Sequence, residues 1–404
     1  MSDLIPIDRI RDARARAAGR VKTTPLELSA TFSAMTGKHV YLKLENLQKT
    51  GSFKVRGALN KLELLDAAAR ARGVITASAG NHAQGVAYAA RLVGTAATVV
   101  MPETAALSKV DATRGYGARV VLAGRDYAEA WAAANEIATA ERLTFVHAFD
   151  DADIIAGQGT MGLELIDQLG DFDTVVVPVG GGGLVAGIIS ALRGAGSQAR
   201  VVAVQAAGAA SLAPSLKAGT PVELETIDTI ADGLATRSVG RLPFAIIRAH
   251  VDAAVEVDDD EIAAAVLLLL ERAKIVVEGA GAAALAACLG GRLPRSSAKV
   301  CVVISGGNID SNLLDRIISR GLVQQGRLFR FTTRLADRPG ELQRLVACIA
   351  GCRANIHQIS HERARPELPL AQAAVTLELE TRGREHIAEI EAAVRAAGFI
   401  VRAG

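Results

Sequence analysis

Val175-Val-Val-Pro-Val-Gly-Gly-Gly-Gly-Leu-Val-Ala-Gly187 is an uncharged run that changes character in its middle. Its first half is apolar throughout and β-branched, the pattern of a central strand buried on both faces. Four consecutive glycines follow, Gly180 to Gly183. Without side chains, that backbone is free to wrap closely around a phosphate. Leu184 onwards opens a helical pattern. The run up to Leu192 holds no charge over 18 residues. That is the lower limit for a helix across a bilayer. Pro178 and five glycines argue instead for strand, loop and helix start, so no membrane span is expected. Gly181-x-Gly183-x-x-Ala186 also fits the dinucleotide fingerprint, which requires an acidic residue closing the next strand. The next run, Val201–Gln205, closes in Gln205. Phosphate cradling survives that departure, which disfavours a nicotinamide dehydrogenase.

Outward from this point, β-rich runs alternate with helical patterns. The expected strands are Val40–Leu44, Val74–Ala77, Ala97–Val100, Val120–Leu122, Thr174–Val179, Val201–Gln205 and Val300–Ile304. Stretches with 3.6-residue periodicity, such as Ala83–Arg91, Tyr127–Arg142 and Asp260–Arg272, separate many of them. Such alternation implies an α/β architecture of parallel sheets covered by helices. The texture changes near residue 328, after the polar connector Gln324-Gln-Gly-Arg-Leu328. Strands Phe329–Leu335, Ile356–Glu362, Ala373–Glu380 and Phe399–Arg402, with helices Glu341–Gly351 and Arg384–Ala397, read as a βαββαβ, ferredoxin-like unit. The 404 residues suggest two to three domains at about 150 residues each. The expected division is residues 1–323, with a small lobe of about 50–150 inserted in a large one, a linker 324–328, and a second domain 329–404.

Bulk composition excludes several functions. A net charge of +2 with 3% aromatic residues supplies neither the basic footprint nor the stacking platforms of a nucleic-acid binder. The N-terminus, Met1-Ser2-Asp3-Leu4-Ile5-Pro6, lacks the apolar core of a secretory signal. The four cysteines, Cys288, Cys301, Cys348 and Cys352, are unevenly placed, as expected of reduced thiols in the cytoplasm. Cys348, Cys352, His357 and His361 resemble a zinc set. Only four residues separate the two pairs, where a finger needs about twelve. The thiols also follow a helical pattern beside Leu345 and Ile349, so they are expected in a core and no metal is expected.

Three further stretches sit at strand ends or helix starts. Lys54 lies between Phe53 and Val55 in a Gly/Ser-rich turn leading into a helix, a half-buried place in which a lysine becomes a nucleophile or base. Thr76-Ala-Ser-Ala-Gly-Asn-His-Ala-Gln-Gly85 joins a strand to a helix, where free N–H groups bind anions. Ser78 and Asn81 are also simple N-cap candidates. Ile304-Ser-Gly-Gly-Asn308 ends an apolar strand, the place of ligands in open α/β sheets, and Ser305 offers a neutral hydroxyl there.

With these residues in view, the chain resembles the threonine/serine dehydratases, fold-type II enzymes of pyridoxal 5'-phosphate with the tryptophan synthase β-like fold. The motifs are Ser52-Phe-Lys-Val-Arg-Gly57, Ser78-Ala-Gly-Asn-His-Ala-Gln-Gly85, Gly180-Gly-Gly-Gly-Leu184, Glu278-Gly-Ala-Gly-Ala282 and Ser305-Gly-Gly-Asn-Ile-Asp310. The resemblance spans about residues 5–320 and implies two open parallel-sheet lobes. It implies that Lys54 holds the cofactor as a Schiff base and later takes the Cα proton of the substrate. Phe53 flanks the cofactor as the one aromatic assigned to the site. Gly180, Gly181, Gly182, Gly183 and Leu184 bind its phosphate, Asn81 its ring oxygen, and Ser305 faces its pyridine nitrogen. Glu278 lies near the ring. Ser78, Gly80, Asn81 and His82 grip the substrate carboxylate. The implied activity is loss of water from L-threonine, and more slowly L-serine, to 2-oxobutanoate or pyruvate and ammonia. 3-Hydroxyaspartate and phenylserine are alternative substrates, and a non-catalytic amino-acid sensor is the alternative of another class. Serine racemases of this family carry a second serine where this chain has Ala79. Gln205, Ala209 and Ser211 replace the acidic set of members that hold a divalent cation.

The last 76 residues resemble an ACT domain, a regulatory amino-acid-sensing module, with Asp337-Arg-Pro-Gly-Glu-Leu342 matching the loop after its first strand. This implies an effector, isoleucine or valine, held by Asp337, Arg338, Pro339, Gly340, Glu341 and Leu342 together with Asn355. It also implies a homodimer or homotetramer.

Overall fold

The computed structural model describes residues 4–364 and 368–403. The chain divides into two compact units, Met1–Asp310 and Ser311–Gly404. The sequence places its boundary at 324–328. In the structure the helix Ser311–Gln324 groups with the second unit, and the polar connector is a tight turn. Gly326 takes φ +67° there, and the Arg327 N–H donates to the Leu322 carbonyl at 2.8 Å.

The first unit begins a large sheet with β1 (Leu26–Leu28) and β2 (His39–Leu44). The chain then leaves to build a small sheet from β3 (Val74–Ala77), β4 (Ala97–Met101), β5 (Arg119–Leu122) and β6 (Thr144–Phe145). It returns along the helix Ala152–Leu169 to β7 (Thr174–Pro178), β8 (Arg200–Ala206), β9 (Ala253–Val257) and β10 (Lys299–Ile304). The large sheet has the order β1-β2-β10-β7-β8-β9 and the small one β5-β4-β3-β6. Every pair is parallel except β1 with β2. The expected two-lobed, fold-type II architecture is therefore present. β1, β6 and β9 are short or half-exposed, and their sequences lack the apolar run that marks the central strands. β7 and β10 are neighbours, with Val302 opposite Val176. The loops that leave their carboxyl ends, the glycine loop and Ser305 onwards, consequently emerge side by side. From β7 the chain moves to β8 on one side, while β10 lies on the other. This is the switch point at which an open α/β sheet offers a crevice.

The 18-residue uncharged run folds as β7, the glycine loop and the helix Gly183–Gly194. That helix packs closely on Ala152–Leu169. A Cβ on Gly187 would lie 2.6 Å from the Gly159 nitrogen, so the contact tolerates hydrogen alone. Among the described residues, no helix is long and apolar enough to cross a membrane.

The second unit holds β11 (Leu328–Ala336), β12 (Asn355–Glu362), β13 (Gln372–Glu380) and β14 (Arg402–Ala403). They form an antiparallel sheet of order β12-β13-β11-β14, as the ferredoxin-like reading expects. The helices Glu341–Gly351 and Arg384–Ala396 supply Leu345, Ile349, Ile390 and Val394 to a core with Phe331 and Leu377. Cys348 and Cys352 pack on that core, and His386 Nε2 donates to the Cys352 carbonyl at 2.8 Å. The final strand is shorter and later than Phe399–Arg402, because Phe399 turns into the core instead.

Candidate active site

Lys54 is the first residue of the helix Lys54–Glu63. Two features set its place. A Cβ on Gly85 would lie 3.1 Å from the Lys54 carbonyl carbon, so the helix Asn81–Val93 backs directly onto the start of the lysine's helix. Behind Lys54, the buried Arg56 guanidinium donates to Glu45 at 2.8 and 2.7 Å and to Glu164 at 2.6 and 3.0 Å. Lys43 joins them through Glu164 at 2.6 Å. Two buried cations thus neutralise two buried carboxylates, and the helix is tied to β2 and to Ala152–Leu169 at once.

Lys54 Nζ donates to the Ala148 carbonyl at 3.1 Å and sits 5.3 Å from the centre of the Phe53 ring. Burial lowers its ammonium to about 8, with Glu278 opposing the shift. The next residue after Ala148, Phe149, lies against the glycine loop. A Cβ on Gly181 would fall 2.2 Å from its ring, and one on Gly183 would fall 3.0 Å from its Cβ. The segment Ala148–Phe149 therefore links the lysine to the loop. Phe149 is a second aromatic at the site, where the sequence reading assigns only Phe53. No motif marks it, since its role arises from a contact between distant loops.

The loop itself is built for close approach. Gly182 takes φ +90° as the N-cap of Gly183–Gly194. The first N–H groups of that helix, those of Gly183 and Leu184 included, have no intrahelical acceptor, the arrangement by which a helix N-terminus binds an anion. Leu184 contributes only backbone, because its side chain lies in the core. Gln205, the departure from the dinucleotide pattern, is satisfied structurally. Its Nε2 donates to the Val179 carbonyl at 3.2 Å, and its Oε1 accepts from the Leu212 N–H at 2.6 Å.

On the other wall, Asn81 Nδ2 donates to Glu278 Oε1 at 2.6 Å. Asn308 Nδ2 donates to Asn81 Oδ1 at 2.7 Å and to the Thr50 carbonyl at 2.8 Å. These bonds fix which way the Asn81 amide faces. Asn308 stands in the motif after Ser305 but was given no role from sequence; a polar residue in a glycine turn gives no sign of its distant partner. Burial pushes the Glu278 carboxyl up to about 7, against the bond from Asn81. Ser305 is buried, with its Oγ 3.4 Å from the Ala280 carbonyl. Its own carbonyl accepts from the Phe53 N–H at 3.2 Å, and Ser52 bridges to Gly306. Ser305 and Lys54 therefore share one wall.

Ser78 Oγ accepts from the Gly80 N–H at 3.2 Å, shaping the turn before Asn81. His82 differs from its neighbours. Its ring is buried, Nε2 donates to the Val146 carbonyl at 3.0 Å, and burial, then Lys54, push it down to about 3. The neutral ring is committed inward, which leaves its backbone N–H for an anion. Lys54, Phe53, Ser78, Gly80, Asn81, His82, the glycine loop, Glu278 and Ser305 are thus gathered in the first unit.

The profile of the family described as "Pyridoxal-phosphate dependent enzyme" matches residues 18–306. The chain belongs to that family. It is 46% identical to the L-threonine ammonia-lyase of Thermotoga maritima over 399 residues, 99% of each chain. Among solved structures, maize serine racemase matches with a TM-score of 0.74 and 36% identity, covering 80% of this chain and 99% of that one. Threonine deaminase isoform 2 of Solanum lycopersicum matches with 0.72 and 35%, covering 78% and 95%.

The residues present fit the family's cofactor. The glycine loop presents bare backbone, since a Cβ on Gly181 or Gly183 would strike Phe149 and one on Gly180 would lie 2.8 Å from the Gly233 carbonyl oxygen. Thr236 beside Gly180 and Ser52 beside Gly306 hold buried hydroxyls without partners, ready for a polar group. Lys54 supplies an amine of lowered basicity.

The residues expected to hold an effector lie in the second unit and are not brought together. Asp337 pairs with Arg363 at 3.1 Å. Glu341 takes Arg338 and Arg344 at 3.0 and 2.9 Å. Gly340 turns the chain at φ +94°, after Pro339, and Leu342 packs on the core. Asn355 donates to Glu380 at 3.1 Å, level with Leu328 and so at the opposite end of the sheet from Asp337.

Proposed function

We propose that this chain is an L-threonine ammonia-lyase, acting more slowly on L-serine, with Lys54 as its catalytic residue. When bound, pyridoxal 5'-phosphate supplies an electron sink that acidifies the Cα–H of an attached amino acid. The protein's part is position and protons. Gly180 to Gly183 and the Leu184 N–H would hold the phosphate, Asn81 the ring oxygen, and the turn Ser78–Gly80 with the N–H groups of Asn81 and His82 the substrate carboxylate. Lys54, lowered to about 8, is the base that takes the Cα proton. The β-hydroxyl leaves as water, and water later replaces the nitrogen, so the net products are 2-oxobutanoate and ammonia.

One observation carries elimination over other outcomes. β10 delivers a neutral hydroxyl, Ser305, to the wall that holds Lys54. A carboxylate there would keep the ring nitrogen protonated and favour a long-lived carbanion; a hydroxyl favours prompt loss of the leaving group. Ala79 has no proton to give from the opposite face, which disfavours racemisation. The test is a steady-state panel of threonine, serine, 3-hydroxyaspartate and phenylserine, followed by 2-oxo acid release. Threonine should show the highest kcat/KM, and a higher value for any other substrate overturns the assignment.

The second unit is read as an ACT module that makes the rate respond to isoleucine or valine through Asp337–Leu342 and Asn355. Because these lie at opposite ends of one sheet, a shared effector needs a second copy, which accords with a homodimer or homotetramer. Four free cysteines, none in a disulfide, support the cytoplasm as its compartment. If neither branched-chain amino acid alters rate or affinity, the regulatory part fails.

A further inference from the structure

The chain leaves β6 through Val146-His-Ala-Phe-Asp150. Four of these five residues each hold a different part of the site. The Val146 carbonyl accepts from the His82 ring at 3.0 Å and from the Thr76 hydroxyl at 2.9 Å. The Ala148 carbonyl accepts from Lys54 Nζ at 3.1 Å. Phe149 lies on Gly181 and Gly183. The Asp150 carboxylate accepts from the Arg241 and Leu242 N–H groups at 3.1 and 2.9 Å, at the start of the helix Arg241–His250. Gly240, just before that helix, donates its N–H to the Gly181 carbonyl at 3.1 Å.

The fifth residue, His147, holds the segment itself. Its Nδ1 accepts from the Phe149 N–H at 3.1 Å and from the Asp150 N–H at 2.8 Å. One ring nitrogen thus closes the turn that aims the Ala148 carbonyl, the Phe149 ring and the Asp150 carboxylate. Only an unprotonated Nδ1 can do this, since a proton there would face two donors. The ring stands edge-on to Trp131 at 5.3 Å and to Phe149 at 4.7 Å, centre to centre. Burial favours its neutral form; Asp150 and Asp151 oppose this, and Lys54 supports it. His82, the other imidazole within reach of its charge, is itself held neutral.

We propose that His147 is a positioning residue for the reaction, whose unprotonated Nδ1 fixes the turn that seats Lys54 and the glycine loop against each other. That the lysine so seated is the base rests on the proposed function; the turn and its opening in acid do not.

Two substitutions separate the acceptor from the ring. His147→Phe keeps an aromatic beside Trp131 and Phe149 and removes the acceptor. His147→Asn removes the ring and keeps an acceptor, because an Asn side-chain oxygen reaches backbone N–H groups two residues on. In cofactor-free protein, hydrogen-exchange protection of the Phe149 and Asp150 amides, corrected for intrinsic rate, should fall about tenfold or more in His147→Phe, as for donors left without an acceptor. In His147→Asn it should change little. The half-saturating concentration of pyridoxal 5'-phosphate, read from visible absorbance, should rise in the same pattern. At saturating cofactor, kcat for threonine should fall in His147→Phe with KM little changed, and His147→Asn should restore it. The pH dependence is read from Trp131, the chain's single tryptophan, whose emission a charged imidazole quenches. Between pH 7 and pH 4 the wild type should lose Trp131 emission and amide protection together, and His147→Asn should lose neither. If His147→Phe fails to fold, this comparison decides alone. Unchanged protection and cofactor affinity in His147→Phe overturns the proposal. Equal losses in His147→Asn also overturn it, by assigning the effect to ring packing. So does an acid loss of protection that is absent from the wild type or the same in His147→Asn. Absence of 2-oxo acid production from threonine would sink the catalytic reading and leave the exchange and fluorescence outcomes untouched.

Discussion

Lys54 and Glu278 share one enclosure, and burial pushes each towards its neutral form. For Glu278 the folded value, about 7, lies above its ordinary 4.5. The native state then holds a proton that the unfolded chain gives up, so its contribution to stability is complete below pH 4.5 and is lost as pH rises through 7. Against Glu278→Gln, the wild type should therefore lose relative stability between pH 5 and pH 8 in urea titrations; a constant difference would count against the buried carboxyl. For Lys54 the sign is opposite in window and direction. Its folded value of about 8 lies below 10.5, so the unfolded chain binds more protons between the two and stability rises with pH there. The same shift should give Lys54 a labelling midpoint near pH 8 with an amine-selective reagent in cofactor-free protein. Lys54→Ala should abolish the visible absorbance of the holoprotein and reduce 2-oxobutanoate formation by about 10²–10⁴-fold or more, the usual contribution of a positioned base.

At the scale of elements, two devices hold the site. The glycine loop depends on Phe149 lying against it. Gly181→Ala would place a Cβ 2.2 Å from the ring and should cost about 1–3 kcal/mol as overpacking. Phe149→Ala in the same chain should recover part of that loss in thermal unfolding; no recovery would place the strain elsewhere. The helix that begins at Lys54 depends on Arg56. Arg56→Met would leave Glu45 and Glu164 short of their cation, and breaking a buried pair costs about 3–5 kcal/mol. The expected result is a large fall in the urea midpoint; a near-neutral variant would mean that Lys43 suffices for both carboxylates.

Over the whole molecule, each unit owns a core. Ile349→Ala, in the second, should cost about 2–5 kcal/mol yet leave the visible absorbance of bound cofactor unchanged at temperatures where that unit stays folded. Simultaneous loss of both signals would show that the units unfold as one. Both architectures were legible in the residues because they depend on local pattern. Runs such as Val300–Ile304 are apolar at every position and declare a central strand, and the alternation in Phe329–Leu335 declares a sheet with one covered face. The edge strands β1, β6 and β9 were not legible, since three and two pairs for β1 and β6, and the half-exposed face of β9, leave no periodic trace.

The order of residues determined the cofactor class and pointed to the lysine, the glycine loop and the neutral hydroxyl proposed to serve it, because each needs a residue type at a fixed offset from a strand end or helix start. Tertiary structure alone decided the rest. It placed Phe149 on the glycine loop and Asn308 on Asn81. It turned the His82 ring inward and set Asn355 far from Asp337. These are contacts between segments distant in sequence, and side-chain direction at such contacts follows from how the layers pack, which no local pattern encodes.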